Sequence, residues 1–119
     1  MPGALTFGAD EAEAIAEAED CLIAALGGYI QQREPIPKPS AARGRPTVVL
    51  PPLVAAKLAL YEALRAAGLS NVALAERLGV TESIVRRLLD LDHRSHIGQV
   101  DAALRALGKR LAVEVRDAA

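Results

Sequence analysis

Residues 71–90 (NVALAERLGVTESIVRRLLD) carry side chains whose types and spacing suit the reading of double-stranded DNA. An arginine can pair with guanine O6 and N7, and a glutamate can accept a hydrogen bond from cytosine N4. The side chains predicted to face base edges are those of Thr81, Glu82, Ser83, Arg86 and Arg87. The predicted phosphate contacts on either flank are Ser70, Asn71, Arg94 and Ser95.

The same stretch allows a plainer interpretation. Arg87 would contact only phosphate, and Glu82 would pair with a neighbouring arginine instead of a base. An ordinary helical hairpin also uses this turn chemistry, because the pattern specifies a pair of helices and not their contact with DNA. Base reading by this stretch is therefore a hypothesis.

The remaining titratable side chains do not make a catalytic or metal site. An acidic face at helical spacing comprises Glu13, Glu17 and Asp20. No histidine or metal ligand accompanies these carboxylates, so we predict a solvated or partner-facing surface. His93 and His96 have only Asp92 as a further ligand, which indicates a capping or phosphate-facing loop. We predict no enzyme, no metal and no cofactor.

The elements that position the DNA-reading residues follow from apolar spacing after Pro52. The predicted helices cover residues 55–67, 71–78, 82–89 and 100–107. Ser70 is the predicted N-cap of the second of these helices, and Gly79 supplies the positive φ of the following turn. The alternating residues 111–115 predict a short C-terminal strand.

The first part of the chain differs from the rest in its charge and is followed by a proline-rich stretch. Residues 1–34 carry seven acids and one base, whereas residues 53–119 carry ten bases and eight acids. A proline-rich linker occupies residues 34–46. We therefore predict two modules, 1–50 and 51–119, with separate functions.

The first module is predicted to fold as strand, helix and strand. Residues 4–7 and 47–50 are the predicted strands, and Asp10 caps the helix between them. The apolar stripe of that helix comprises Ile15, Ala18, Leu22, Leu26 and Tyr29. The glycine pair 27–28 is predicted to end the helix, and Cys21 to pack as a small core residue.

Composition excludes several classes of protein. With Phe7, Tyr29 and Tyr61 as its only aromatic residues, the chain lacks the stacking platform of single-strand nucleic-acid binders. One cysteine excludes a disulfide framework. The longest uncharged stretches, 21–32 and 46–56, are too short to span a membrane, and no signal peptide opens the chain. These features predict a soluble, cytoplasmic protein without a membrane partner.

Three stretches resemble the HicB-type antitoxins of type II toxin–antitoxin systems. PGALTFGADEAEAIAEAEDCLIAAL is similar to the family's third strand and acidic helix, and EPIPKPS at 34–40 is similar to its linker. The sequence from residue 48 onward resembles the variant with a Cro/repressor-like helix-turn-helix, including the pattern LDxxHxSxIxQVxxALxALGKRL. From this resemblance, we expect the given sequence to begin after the position of the family's first two strands.

The resemblance implies an α+β fold. Its first part would be a partial ribonuclease H-like strand–helix–strand module, and its second an all-α helix-turn-helix module with a short C-terminal strand. The implied function is neutralisation of a HicA-like mRNA interferase toxin through Glu13, Glu17 and Asp20. The second module would form a homodimer or higher oligomer and repress its own operon by binding operator DNA. The alternative is a stand-alone Cro/repressor-like transcriptional regulator with a vestigial first module.

Overall fold

The computed structural model describes residues 7–37, 50–115 and 117, and all their regular structure is helical. The helices are α1 (Phe7–Gln31), α2 (Pro52–Ala67), α3 (Asn71–Leu78), α4 (Glu82–Leu89) and α5 (Ile97–Ala106). The chain divides into two compact units, Met1–Pro51 and Pro52–Ala119. The first unit contains α1, and the second contains the other four helices.

The four helices of the second unit enclose a small apolar core. Both α2 and α3 pack against α4 and α5. The largest fully buried apolar side chains are those of Leu60, Tyr61, Leu64, Leu74, Val85 and Val100. Full burial of one such side chain contributes about 1.5–3 kcal/mol. This core holds α3 and α4 in a fixed relation to each other and to α2.

Short-range signals set the ends of α3. Ser70 has extended backbone, and its Oγ accepts a hydrogen bond from the Ala73 N–H at 3.1 Å. Gly79 follows the helix with φ 67°, and its N–H points at the carbonyls of Ala75 and Glu76. A Cβ at Gly79 would meet nothing within 4 Å, so the backbone conformation alone favours glycine there. The predicted cap and turn are confirmed.

The predicted C-terminal strand is wrong. Residues 111–115 have no regular structure, and the side chains of Val113 and Val115 are 82% and 91% exposed. An extended segment becomes a strand only when its N–H and C=O groups pair with a neighbour. An alternating pattern alone therefore does not make a strand when the described residues provide no partner for it.

The predicted α+β class, with its ribonuclease H-like strand–helix–strand module, is also wrong, because the described residues contain helices and no sheet. The two predicted strands, 4–7 and 47–50, lie outside the described residues except at their last positions. There Phe7 begins α1, and Leu50 has no regular structure. Strand assignment from a few β-branched residues depends on packing against a sheet, and the described part of the chain provides none.

Helix α1 is longer than predicted. It continues through Gly27 and Gly28, so the helix end predicted at this pair is wrong. Each glycine costs about 1 kcal/mol relative to alanine, and the helix formers around the pair outweigh that cost. Termination comes later, at Arg33 with φ 58°, where the Glu34 N–H donates to the Tyr29 carbonyl at 2.9 Å. This is a left-handed C-terminal cap with an arginine in the position that glycine usually takes.

The predicted apolar stripe of α1 is only partly buried. Leu26 is buried and Tyr29 half-buried, whereas Leu22 is 37% exposed. Cys21 is exposed, so its prediction as a core residue is wrong. Although α1 has 25 residues, neither it nor another helix in the described ranges combines the length and hydropathy that crossing a bilayer requires.

Candidate functional site

Helix α4 presents the side chains singled out for base contacts. Of these, Thr81, Ser83, Arg86 and Arg87 are exposed and Glu82 is partly exposed. Thr81 is the N-cap residue, but its hydroxyl makes no capping hydrogen bond. On the other side of the helix, Val85 and Leu88 are buried. The apolar side thus anchors α4 in the unit and leaves the polar side available to a partner.

Glu82 and Arg86 form a two-bond ion pair on the exposed side of α4. Arg86 Nε donates to Glu82 Oε1 and its NH2 group to Oε2, both at 2.9 Å. The hydrogen bonds and the carboxylate charge raise the pKa of the Arg86 guanidinium above its ordinary value. Both carboxylate oxygens are therefore engaged, and the pair fixes the orientation of the Arg86 guanidinium, which keeps three N–H donors for a further contact.

Arg87 differs from its neighbour. Its side chain is exposed, and within the described ranges its guanidinium has no hydrogen-bond or ion-pair partner. Its carbonyl, in contrast, accepts hydrogen bonds from Lys57 Nζ at 2.8 Å and from Ser95 Oγ at 3.3 Å. The backbone of Arg87 is thus fixed while its guanidinium remains available.

Lys57 connects α2 to the end of α4. Its side chain is fully buried, and Nζ donates to the carbonyls of Arg87 at 2.8 Å and Asp90 at 2.6 Å, and to Ser95 Oγ at 2.9 Å. Burial lowers the pKa of the Lys57 ammonium, and the Asp90 carboxylate partly offsets that effect. Three acceptors match the three N–H donors of a protonated lysine.

The loop after α4 holds two of the predicted phosphate contacts in different situations. Arg94 is exposed, whereas the Ser95 hydroxyl already bonds within the chain and lies 3.0 Å from His93 Nδ1. His96 is the N-cap residue of α5 and makes no side-chain capping bond. Over the described ranges, no group of three or more His, Cys, Asp or Glu side chains could hold a metal ion.

The other two predicted phosphate contacts begin α3. The Ser70 hydroxyl caps the helix, and Asn71 is its first residue. Asn71 Oδ1 is buried without a hydrogen-bond partner. Because phosphate oxygens only accept hydrogen bonds, a contact from Asn71 has to use its amide or backbone N–H groups.

The acidic face lies on α1, in the unit that does not contain α4. Glu13, Glu17 and Asp20 are all exposed. Their spacing of four and three residues places the three carboxylates on one side of the helix. The candidate acidic surface and the candidate DNA surface therefore belong to separate compact units.

Lys57 is the residue at this site that sequence reasoning missed. The signal was present, because Lys57, Tyr61 and Leu64 follow each other at intervals of four and three residues. Tyr61 and Leu64 are fully buried members of the core stripe of α2. A lysine at a stripe position predicts a buried ammonium with backbone acceptors.

A comparison with protein families matches residues 1–59 to HicB-like antitoxins of bacterial toxin–antitoxin systems. Among curated proteins, Antitoxin HicB 2 of Photorhabdus laumondii subsp. laumondii is 38% identical over 111 residues, which cover 93% of this chain and 79% of the relative. Antitoxin HicB of Pseudomonas fluorescens (strain Pf0-1) is 40% identical over 108 residues, or 89% of this chain and 74% of the relative.

Antitoxin HicB of Escherichia coli (strain K12) is 36% identical over 114 residues, which cover 95% of this chain and 83% of the relative. An alignment of this length includes most of both compact units. The similarity thus extends from the acidic helix through α4 and the loop that follows it.

Proposed function

The chain belongs to the HicB-like antitoxin family of bacterial toxin–antitoxin systems, and we propose that it neutralises a HicA-type mRNA interferase toxin and represses its own operon. In this proposal the first unit binds the toxin, and α4 of the second unit binds operator DNA. The observation that carries the proposal is the 36–40% identity to HicB antitoxins over 89–95% of the chain. Because the toxin would act on mRNA and the operator is DNA, the proposal places the protein in the cytoplasm, where it acts by binding these two partners and not by catalysis.

The acidic face of α1 supports the toxin-binding part of the proposal. Glu13, Glu17 and Asp20 are exposed on one side of the helix, in a segment with an excess of acids. The family resemblance implies a small basic toxin. Opposite charges on two partners accelerate their encounter and favour the correct partner.

The geometry of α4 supports the operator-binding part. Thr81, Ser83 and Arg87 are exposed along a helix whose other side is anchored in the core, as a recognition helix in the major groove requires. The second unit carries only a small positive charge, so one copy is expected to bind DNA weakly. We therefore propose a homodimer on two half-sites about 34 Å apart.

The proposal is tested by asking whether this chain restores the growth of cells that express its cognate toxin. Expression of the basic toxin encoded next to this chain is expected to stop growth, and co-expression of the full chain to restore it. A toxin from a different family serves as the control, and its effect should persist. Continued growth arrest despite accumulation of the chain would contradict the antitoxin function and favour the stand-alone regulator.

For operator binding, we expect Arg87→Ala to have a larger effect than Arg86→Ala. The Arg87 guanidinium keeps all of its N–H donors and its full charge, whereas Glu82 engages two donors of Arg86 and offsets its positive charge. Loss of a two-bond guanine contact costs about 1–3 kcal/mol, which is roughly a 5- to 150-fold loss of operator affinity. Mobility-shift assays with operator DNA and with DNA of scrambled sequence measure this loss of affinity.

The scrambled DNA is the control for this comparison. A loss confined to the operator identifies Arg87 as a base contact, and an equal loss on both DNAs identifies it as a phosphate contact. If Arg86→Ala has the larger effect, the paired Arg86 is the more important DNA contact of the two, and the expected ranking is wrong.

A further inference from the structure

The buried ammonium of Lys57 lies directly behind the proposed DNA-binding helix. Its three acceptors are 30, 33 and 38 residues away along the chain, at Arg87, Asp90 and Ser95. Two of them are carbonyls at the C-terminal end of α4, where the helix dipole favours a positive charge. The third is the hydroxyl of the loop that leads to α5. One side chain of α2 thus joins the end of α4 to the following loop.

We propose that Lys57 is a positioning residue for operator binding. Its ammonium fixes the end of α4 and residues 90–96 against α2. This inference rests on the proposed function of α4. Lys57 is itself fully buried and does not reach DNA. It acts through the backbone of Arg87, whose carbonyl it holds at 2.8 Å while the guanidinium remains exposed.

The chemistry of lysine explains why this position is specific. Arginine has a planar fork of donors, which cannot point at three acceptors around a single nitrogen as an ammonium does. An apolar side chain of similar length would fill the space but leave two carbonyls and a hydroxyl without their donor. Removing the donor alone leaves these buried acceptors unpaired, which costs stability and frees the backbone to which they belong. The ammonium therefore contributes the fixed geometry of the loop.

The same geometry connects Lys57 to Arg94. Ser95 Oγ accepts from Lys57 and donates to the Arg87 carbonyl, so the residue next to Arg94 is held against α4. Arg94 itself is exposed. Loss of the ammonium would free the loop and separate the proposed phosphate contact at Arg94 from the proposed base contact at Arg87. Specific binding requires both contacts at once, whereas non-specific binding requires only charge.

The test is Lys57→Met in the full chain, with Lys109→Met as the matched control. Lys109 is an exposed lysine of the same unit, so its replacement removes the same charge without touching the buried network. For Lys57→Met we expect amide hydrogen exchange in residues 90–96 to accelerate about 10-fold or more, as the loss of charge-assisted hydrogen bonds predicts. Exchange in α3 should stay unchanged.

On DNA, Lys57→Met is expected to lower operator affinity by about 10-fold and to leave affinity for scrambled DNA unchanged. The slope of log affinity against log salt concentration should also match that of the unchanged protein, because Lys57 contacts no phosphate. Ser95→Ala provides a milder second variant, which keeps the ammonium and its two carbonyl acceptors. It should change both measurements in the same direction by a smaller amount, and it tests the proposal if Lys57→Met does not fold.

The outcomes separate this inference from the proposed function. The positioning role would be overturned if hydrogen exchange in residues 90–96 is unchanged in both Lys57→Met and Ser95→Ala. Faster exchange with unchanged operator affinity would overturn it as well. If the unaltered chain does not prefer operator over scrambled DNA, the proposed repressor function fails. The exchange comparison between Lys57→Met and Lys109→Met then still shows whether Lys57 fixes the loop.

Discussion

Replacement of Leu74 by alanine is expected to lower the free energy of unfolding of the second unit by about 2–5 kcal/mol. Leu74 is fully buried in α3, the helix that packs against both α4 and α5. Removing three carbons leaves a cavity that rigid helices fill only in part, so the cost exceeds that of the lost apolar burial alone. Native-state hydrogen exchange of the buried amides in α2 measures the change.

Val72→Ala is the matched control for this substitution. Val72 lies on the same helix two residues earlier, but its side chain is 54% exposed. Its replacement should change the free energy of unfolding by no more than about 0.5 kcal/mol. If both substitutions lower the free energy of unfolding equally, the burial of Leu74 does not contribute to stability as expected.

The Leu74→Ala variant also separates the two proposed activities, operator binding and toxin binding. Stabilities of small domains are typically about 5–15 kcal/mol, so a loss of about 2–5 kcal/mol removes a large fraction of the total and lowers the temperature at which the second unit unfolds. Leu74→Ala should therefore bind operator DNA poorly at elevated temperature. Because α1 belongs to the other compact unit, toxin binding should persist under the same conditions.

Removal of the acidic face should have its largest effect on association with the toxin. We expect the triple variant Glu13→Gln, Glu17→Gln, Asp20→Asn to bind the basic toxin with an association rate about 10-fold lower at low salt. The three carboxylates are exposed on one side of α1, and in the proposed function they attract a positively charged toxin from a distance. The difference should shrink as salt rises, since the Debye length is about 8 Å at physiological ionic strength. Stopped-flow or surface-based kinetics at two salt concentrations measure it.

A second triple variant controls for net charge. Glu62→Gln, Glu76→Gln, Asp92→Asn also removes three exposed acids, but from the second unit. Its toxin association rate should match that of the unaltered chain. If both triple variants slow association equally, overall charge and not the face of α1 attracts the toxin, and the proposed toxin-binding residues are wrong.

Local signals in the sequence determined the helix pair at the proposed DNA surface. The predicted ranges 71–78 and 82–89 are the ranges of α3 and α4 in the structure. Ser70 and Gly79 set the two ends of α3 through bonds to groups within five residues, which a sequence pattern can encode completely. The possible pairing of Glu82 with a neighbouring arginine was also visible, because side chains four residues apart on a helix meet.

Contacts between residues that are far apart in the sequence were decided only by the tertiary structure. The segment 111–115 alternates like a strand, but a strand exists only with a partner, and residues in the described ranges provide none. The role of Lys57 has the same origin, because its acceptors are at least 30 residues away and meet it only after α2, α4 and the loop have packed. Apolar spacing determines which residues enter the core, whereas the packed core determines which distant polar groups meet.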